Sequence, residues 1–100
     1  MAFVVIAKWI ARPGSEEDVW DAIGHLVGPS REEPGCLGYI PHRSLEDERT
    51  FLLYETYVDQ SAYEAHAASE HFKTYALGLG IPLLEARERS FYSTKADSDV

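Results

Sequence analysis

The sequence predicts one α+β domain of the split β-α-β, ferredoxin-like type with an antiparallel sheet. Its 100 residues are the length of a single domain. Short runs rich in β-branched and aromatic residues alternate with helical segments in the order β-α-β-β-α-β. No linker or internal repeat divides the chain. We therefore expect one domain over residues 1–94 and a polar tail over 95–100.

The first half of the chain predicts a strand followed by a helix. Both faces of the run Phe3–Ile10 are mostly apolar, which is typical of a strand covered on both sides. Ser15 is placed to cap a helix whose first turn is acidic. Gly28-Pro29 can interrupt this helix, which could resume before it ends at residues 33–35, Glu-Pro-Gly.

The middle of the chain predicts a hairpin. Its second and third strands are expected at Cys36–Arg43 and Thr50–Tyr57. Pro41 cannot donate a ladder hydrogen bond, so its strand should lie at a sheet edge or carry a bulge. Asp59 is placed to cap a short helix after the hairpin.

The last third predicts a further helix and a final strand. Ser69 can cap this helix, Gly80 can end it, and the strand is expected at Glu85–Ser93. Apolar residues at the spacing i, i+3, i+4, i+7 predict the buried stripe of the helix: Phe72, Tyr75, Ala76 and Leu79.

The helices supply enough surface for one face of the sheet, yet the first and third strands are apolar on both faces. A second copy packed sheet to sheet would cover the other face. We therefore expect a homodimer.

Composition excludes several functions. The net charge of −8 disfavours binding to nucleic acid or to anionic membranes, because both carry negative charge. Cys36 is the only cysteine, which excludes an intrachain disulfide and a multi-cysteine metal site. The apolar start of the chain lacks the features of a signal peptide, and no run reaches about 20 apolar residues. We expect a cytoplasmic protein with no nucleic-acid or membrane partner.

Two segments resemble a known family. Residues 31–39, REEPGCLGY, resemble the "sr.EpGcl.Y" segment of antibiotic-biosynthesis-monooxygenase-type domains. Residues 51–71 resemble that family's "f.l.E.w.d..A...H....H" segment, with Glu55, His66 and His71 at the matching positions. The resemblance covers residues 3–92 and implies a dimeric α+β barrel.

The resemblance implies several activities. Members include quinol monooxygenases that use no metal or flavin, an isomerase of a phosphorylated autoinducer, and relatives that degrade haem. The haem-degrading relatives share a set of Asn, Trp and His residues, and this chain contains no asparagine. The family also often has Trp where this chain has Tyr57. Haem degradation is therefore not expected.

Glu55 and His66 are the candidate catalytic pair. A carboxylate in an apolar strand needs a partner, because burying an unpaired charge costs several kcal/mol. His66 follows on the helix that packs over this strand, so we expect a Glu55–His66 hydrogen bond. In the catalytic interpretation Glu55 orients His66, which acts as a general base. In the structural interpretation the pair only anchors the helix to the sheet.

His71 is a further catalytic candidate, as a donor near a developing oxyanion. His66 and His71 are five residues apart, which is not the i, i+4 spacing of two metal ligands on one helix face. Glu55 and His42 could join them in a two-His-one-carboxylate set, but no spacing supports it. We therefore expect neither a metal site nor another cofactor.

The abundant aromatic residues favour a flat apolar slot for a small aromatic substrate. Candidate substrate-binding residues are Trp9, Tyr54, Tyr57 and Phe72, with Arg43 for an anionic group. The expected function is a cofactor-independent monooxygenase that acts on a small phenol or quinol with oxygen. A small-molecule isomerase and a non-catalytic ligand-binding dimer remain open.

Overall fold

The computed structural model describes residues 1–95, so the predicted tail lies outside the described residues except for Lys95. The elements, in chain order, are β1 (Phe3–Ala11), α1 (Glu16–Arg31), β2 (Cys36–Arg43), β3 (Thr50–Tyr57), α2 (Gln60–Ala67), α3 (Phe72–Gly80) and β4 (Leu84–Ser93). The segment α3 is a π-helix, and a short 3₁₀ turn links it to β4. The predicted α+β class and element order are confirmed. The helices α2 and α3 together take the place of the second predicted helix.

The strands form one antiparallel sheet in the order β2-β3-β1-β4. At its centre, Ala7 of β1 pairs with Leu53 of β3 on one side and with Arg89 of β4 on the other. The strand β2 lies at an edge, which confirms the position expected from Pro41.

The core lies between the sheet and the helices. Trp9, Phe51 and Leu53 of the sheet pack with buried residues of α1. The opposite face, which we call the open face, carries no helix. It presents the alternate residues of the strands, among them Val4, Ile6, Ile10, Ile40, Leu52, Tyr54 and Tyr92. Ile40 and Tyr54 are 48% and 43% exposed there. The open face is therefore an uncovered apolar surface.

The helix α1 runs without interruption through Pro29 to Arg31, so the expected break is absent. Proline removes one helical hydrogen bond, but Leu26 and Ser30 are fully buried on either side of it. Tertiary packing of these turns outweighs the local cost. Ser15 makes no side-chain cap; the Glu16 carboxylate instead accepts from the Gly14 N–H at 3.1 Å.

The π-helical form of α3 changes which residues it buries. The stripe predicted with α-helical spacing is wrong at Leu79, which is 49% exposed, whereas Ala76 and Gly80 are buried. A π-helix bonds i to i+5, so each turn holds more residues and the buried positions drift from α-helical spacing. The Ser69 hydroxyl accepts from the Phe72 N–H at 3.2 Å, in the capping position predicted for it.

Candidate functional site

A small cavity lies between the helix-covered face of the sheet and the helices α2 and α3. Its volume is about 20 Å³, room for about one water molecule. It is lined by Val5, Ala7, Trp9, Tyr39, Leu53, Glu55, Tyr63, His66, Phe72, Arg87 and Arg89. Short side chains at Val5 and Ala7 leave this space open beneath α2. The predicted residues Trp9, Glu55, His66 and Phe72 are thus brought together.

His66 is fixed in one tautomer. Its side chain is 2% exposed, and its Nδ1 lies 2.9 Å from Oε2 of Glu33. Because an ionised carboxylate can only accept, Nδ1 carries the proton and Nε2 is left as a bare acceptor. Burial lowers the pKa of His66, although Glu33 opposes this shift. The ring is therefore neutral at neutral pH, with Nε2 able to take a proton.

The partner of His66 differs from the one expected. Its Nε2 lies 3.8 Å from Oε1 of Glu55, which is too far for a hydrogen bond. Glu33 takes that role because the chain turns sharply between α1 and β2. At Gly35 an added Cβ would lie 2.4 Å from Cβ of Ala62, so this turn passes very close to α2. The only sequence signal for Glu33 was its place in the first family-like segment.

His71 shares the same carboxylate oxygen. Its Nε2 lies 2.5 Å from Oε2 of Glu33, so that oxygen accepts from two imidazoles. The other oxygen, Oε1, is buried and has no hydrogen-bond partner among the described residues. His71 is half-buried and does not line the cavity, so it acts on the cavity only through Glu33.

Glu33, His66 and His71 are also the described residues that could hold a metal ion. One ligand atom from each lies within 4.8 Å of the others. In this structure Nδ1 of His66 and Nε2 of His71 are each hydrogen-bonded to Glu33. This set differs from the one weighed from the sequence, since His42 lies on the open face and contacts the carbonyl oxygen of Leu52 at 3.3 Å.

Glu55 is a buried carboxyl group whose protonation is sensitive to pH. It is 4% exposed, and its Oε1 accepts from the Tyr57 hydroxyl at 2.6 Å. Burial raises the pKa of Glu55 to about 7, and the hydrogen bond from Tyr57 opposes that shift. Glu55 can therefore exchange a proton at neutral pH, directly beside the cavity.

Three expected substrate-binding residues do not line the cavity, and Tyr57 is one of them: it is fully buried and donates to Glu55. Tyr54 points to the open face, because neighbouring side chains of a strand alternate and Glu55 points to the cavity. Arg43 pairs with Glu17 at 2.8 Å and faces Phe51, at the far end of β3 from Tyr57. Tyr54 and Arg43 therefore do not line the cavity.

The cavity also contains residues that sequence reasoning missed. Arg87 and Arg89 of β4 and Tyr63 of α2 line it, and Arg89 donates to the Tyr63 hydroxyl at 2.6 Å. The available signal was alternation along β4, which places residues 87, 89 and 91 on one face. To tell which face of β4 is directed to the cavity, one must also know how β4 pairs with β1, and the sequence pattern alone did not give that pairing.

No helix among residues 1–95 is long and apolar enough to cross a membrane.

Known proteins resemble this chain over most of its length. A protein of Mycobacterium tuberculosis, Rv0793, provisionally named a monooxygenase, is 29% identical over 76 residues, which cover 76% of this chain and 74% of that protein. The crystal structure of PA3566 from Pseudomonas aeruginosa superposes with a TM-score of 0.88 at 33% identity, covering 95% of each chain.

A provisionally assigned antibiotic biosynthesis monooxygenase from Nitrosomonas europaea gives a TM-score of 0.89 at 23% identity, covering 96% of this chain and 92% of that one. At this identity the likeness shows the fold alone. The profile of one family, described as antibiotic biosynthesis monooxygenase, matches residues 2–76, which include Glu33, Glu55, His66 and His71. The chain therefore belongs to the antibiotic biosynthesis monooxygenase family.

Proposed function

We propose that the protein is a cofactor-independent monooxygenase that acts on a small phenol or quinol and works as a homodimer. The observation that carries this proposal is the Glu33–His66 pair. It presents a neutral imidazole, with Nε2 unprotonated, to a cavity walled by aromatic residues.

The reaction needs a base, a dry pocket and oxygen. Nε2 of His66 removes a phenolic proton, and the Glu33 carboxylate stabilises the imidazolium that forms. The electron-rich phenolate then supplies electrons to oxygen. For a hydroquinone, one oxygen atom enters the ring and the other leaves as water, giving a hydroxyquinone. The substrate itself is the reductant, so the balance requires no flavin or metal.

Glu55 and His71 have supporting roles in this proposal. Glu55 has a pKa of about 7 and can return a proton to the departing oxygen. His71 holds Glu33 in place through their shared hydrogen bond, so it is a positioning residue rather than the oxyanion donor first considered. Trp9 and Phe72 form the walls against which an aromatic ring would pack.

The homodimer is supported by the open face. This surface carries several apolar side chains, among them the exposed Ile40 and Tyr54. A shallow groove of about 230 Å³ runs over it, lined by Val4, Leu37, Gly38, Ile40, Tyr54, Thr56 and Thr94. A second copy of the same face would cover these residues.

Oxygen uptake tests the proposed chemistry. Purified protein is screened against a hydroquinone panel in an oxygen electrode, with and without EDTA. We expect uptake that survives EDTA, because His66 and not a metal begins the reaction. His66→Ala and Glu33→Gln should each lower turnover by about 10² or more, the range typical of a general base.

His25→Ala is the matched control, because His25 is an exposed histidine of α1 and should leave turnover unchanged. Loss of turnover in EDTA with recovery on adding a metal would contradict the metal-free mechanism. Absence of uptake across the panel would contradict the monooxygenase proposal.

An isomerase is the second candidate, and the two arginines at the cavity favour it. Nε2 of His66 could move a proton beside a carbonyl while Arg87 and Arg89 hold a phosphate. Such a reaction consumes no oxygen, so the same electrode measurement separates the two. A non-catalytic ligand-binding dimer would show neither uptake nor isomerised product.

A further inference from the structure

Two arginines stand side by side at one end of the cavity. In the sheet register, Arg87 lies opposite Trp9, and Arg89 lies opposite Ala7. Paired residues of neighbouring antiparallel strands point to the same face, so both guanidinium groups lie on the side of the sheet that carries Glu55. Both residues line the cavity.

Neither arginine forms an ion pair with a described acidic residue, although Arg89 is close enough to Glu55 to lower the pKa of that carboxyl group. Among residues 1–95, no carboxylate oxygen lies within 4.0 Å of Arg87 or Arg89, whereas Arg43 and Arg49 pair with Glu17 and Glu85. Two like charges on one strand face repel each other unless an anion lies between them.

The surroundings of the two arginines suit a bound ligand. Every residue of β4 after Leu84 is exposed, so the cavity opens to solvent at this strand. Arg89 is oriented by its hydrogen bond to Tyr63 and lies 5.8 Å from the ring centre of Phe91. Arg87 makes no hydrogen bond among the described residues, and partial burial lowers its pKa. Its donors are free to bind a ligand.

We infer that Arg87 and Arg89 bind an oxyanion group, a carboxylate or a phosphate, on the aromatic ligand of the Glu55–His66 cavity. This inference rests on the proposal that the cavity is the ligand site. It names the substrate class as an acidic phenol or quinol. The guanidinium fork matches the two oxygens of a carboxylate or phosphate, which a neutral phenol lacks. The anionic group would lie at the β4 side, with the ring directed toward His66.

Calorimetric titration with two matched probes tests the inference. The probes are 2,5-dihydroxybenzoate and hydroquinone, which differ only by a carboxylate. We expect the wild-type protein to bind the benzoate about 10- to 100-fold more tightly, the range of a charge-assisted hydrogen-bond pair. In Arg87→Gln this preference should disappear while the affinity for hydroquinone stays the same. Arg89→Gln should act in the same direction, with an added loss from the Tyr63 contact.

Arg12→Gln is the matched control, since it removes one positive charge from an exposed turn and should leave the preference intact. Inorganic phosphate provides a second arm. Tighter Arg87-dependent binding of phosphate than of the benzoate identifies a phosphate-bearing ligand and also supports the inference. The inference would be overturned if the two organic probes bound with equal affinity and phosphate binding did not depend on Arg87. It would also be overturned if the preference for the benzoate survived in both Arg87→Gln and Arg89→Gln. The titration measures binding alone, so its result is independent of the oxygen-uptake result. An arginine-dependent preference in a protein that takes up no oxygen would contradict the monooxygenase proposal but still support the oxyanion site.

Discussion

At the scale of single residues, the burial of Glu55 controls how the protein responds to pH. The folded state raises the pKa of this carboxyl group from 4.5 to about 7 because burial disfavours its charged form. At pH values between these two pKa values, Glu55 has lost its proton in the unfolded chain but keeps it in the folded chain. Unfolding therefore releases protons, and the free energy of unfolding falls as pH rises through this window.

Glu55→Gln should remove this pH dependence, because a neutral amide has no proton to lose. A shift from 4.5 to about 7 corresponds to roughly 3 kcal/mol at 1.36 kcal/mol per pKa unit. Relative to the variant, the wild-type protein should lose about that much stability between pH 4 and pH 8, measured by urea unfolding. The exposed Glu70→Gln serves as control. If wild type and Glu55→Gln gave parallel curves of stability against pH, this would contradict a buried Glu55 with a raised pKa.

Tyr57→Phe should raise the pKa of Glu55 further. The Tyr57 hydroxyl donates to Glu55 at 2.6 Å and stabilises the charged carboxylate, so its removal favours the protonated form. The ring remains, and with it the contacts to Tyr63 and His66. Carbon-detected NMR titration of Glu55 measures the shift directly; an unchanged or lower pKa would show that the hydroxyl does not stabilise the carboxylate.

The sequence predicted the members of the site better than their contacts. Glu55 was expected to be enclosed because it interrupts an apolar strand face, and it is. His66 was placed near it by the strand-helix connection, and the two are 3.8 Å apart. Glu33 was missed because it lies in a turn 33 residues before His66 in the sequence, and no local pattern records a contact at that separation.

At the scale of elements, a close contact between a turn and a helix holds His66 in position. Gly35 lies against Ala62 of α2, and its carbonyl oxygen accepts from the Val58 N–H at 2.9 Å. The same helix carries His66, and the same turn carries Glu33. The distance between turn and helix therefore sets the length of the Glu33–His66 hydrogen bond.

Gly35→Ala should separate the two elements. The new Cβ would lie 2.4 Å from Cβ of Ala62, so the turn or the helix must move. We expect a loss of about 1–3 kcal/mol in the free energy of unfolding, the usual cost of overpacking, and a fall in any turnover. Gly24→Ala is the control within α1, where nothing lies within 4 Å of the new Cβ. It should stabilise the fold by about 0.5–1 kcal/mol. Urea unfolding of both variants checks this; equal stabilities would contradict the contact.

The strands could be predicted more accurately than the helices. Two-sided apolar runs gave β3 at its observed bounds and β1 within one residue, and β2 was also predicted at its observed bounds. The helix α3 differed because its hydrogen bonding is π-helical, and that pattern leaves no α-helical periodicity in the sequence.

At the scale of the whole molecule, the open face is the proposed interface of the homodimer. Tyr54→Asp would place a carboxylate at the centre of the proposed interface, where an unpaired buried charge costs several kcal/mol. The variant should be monomeric by light scattering, whereas the wild type should have the mass of two chains. Leu45→Asp is the control, since Leu45 is an exposed apolar residue in a loop outside that face. A wild-type mass of one chain at micromolar concentration would contradict the homodimer.

The small size of the cavity also has a kinetic consequence. A cavity that binds benzene measures about 150 Å³, whereas this one measures about 20 Å³. An aromatic ring can therefore enter only after α2, α3 or β4 has moved. Measured affinity then equals the intrinsic affinity reduced by the population of the open form. In stopped-flow mixing, the observed binding rate should level off with ligand concentration at the rate of opening, instead of rising in proportion to it.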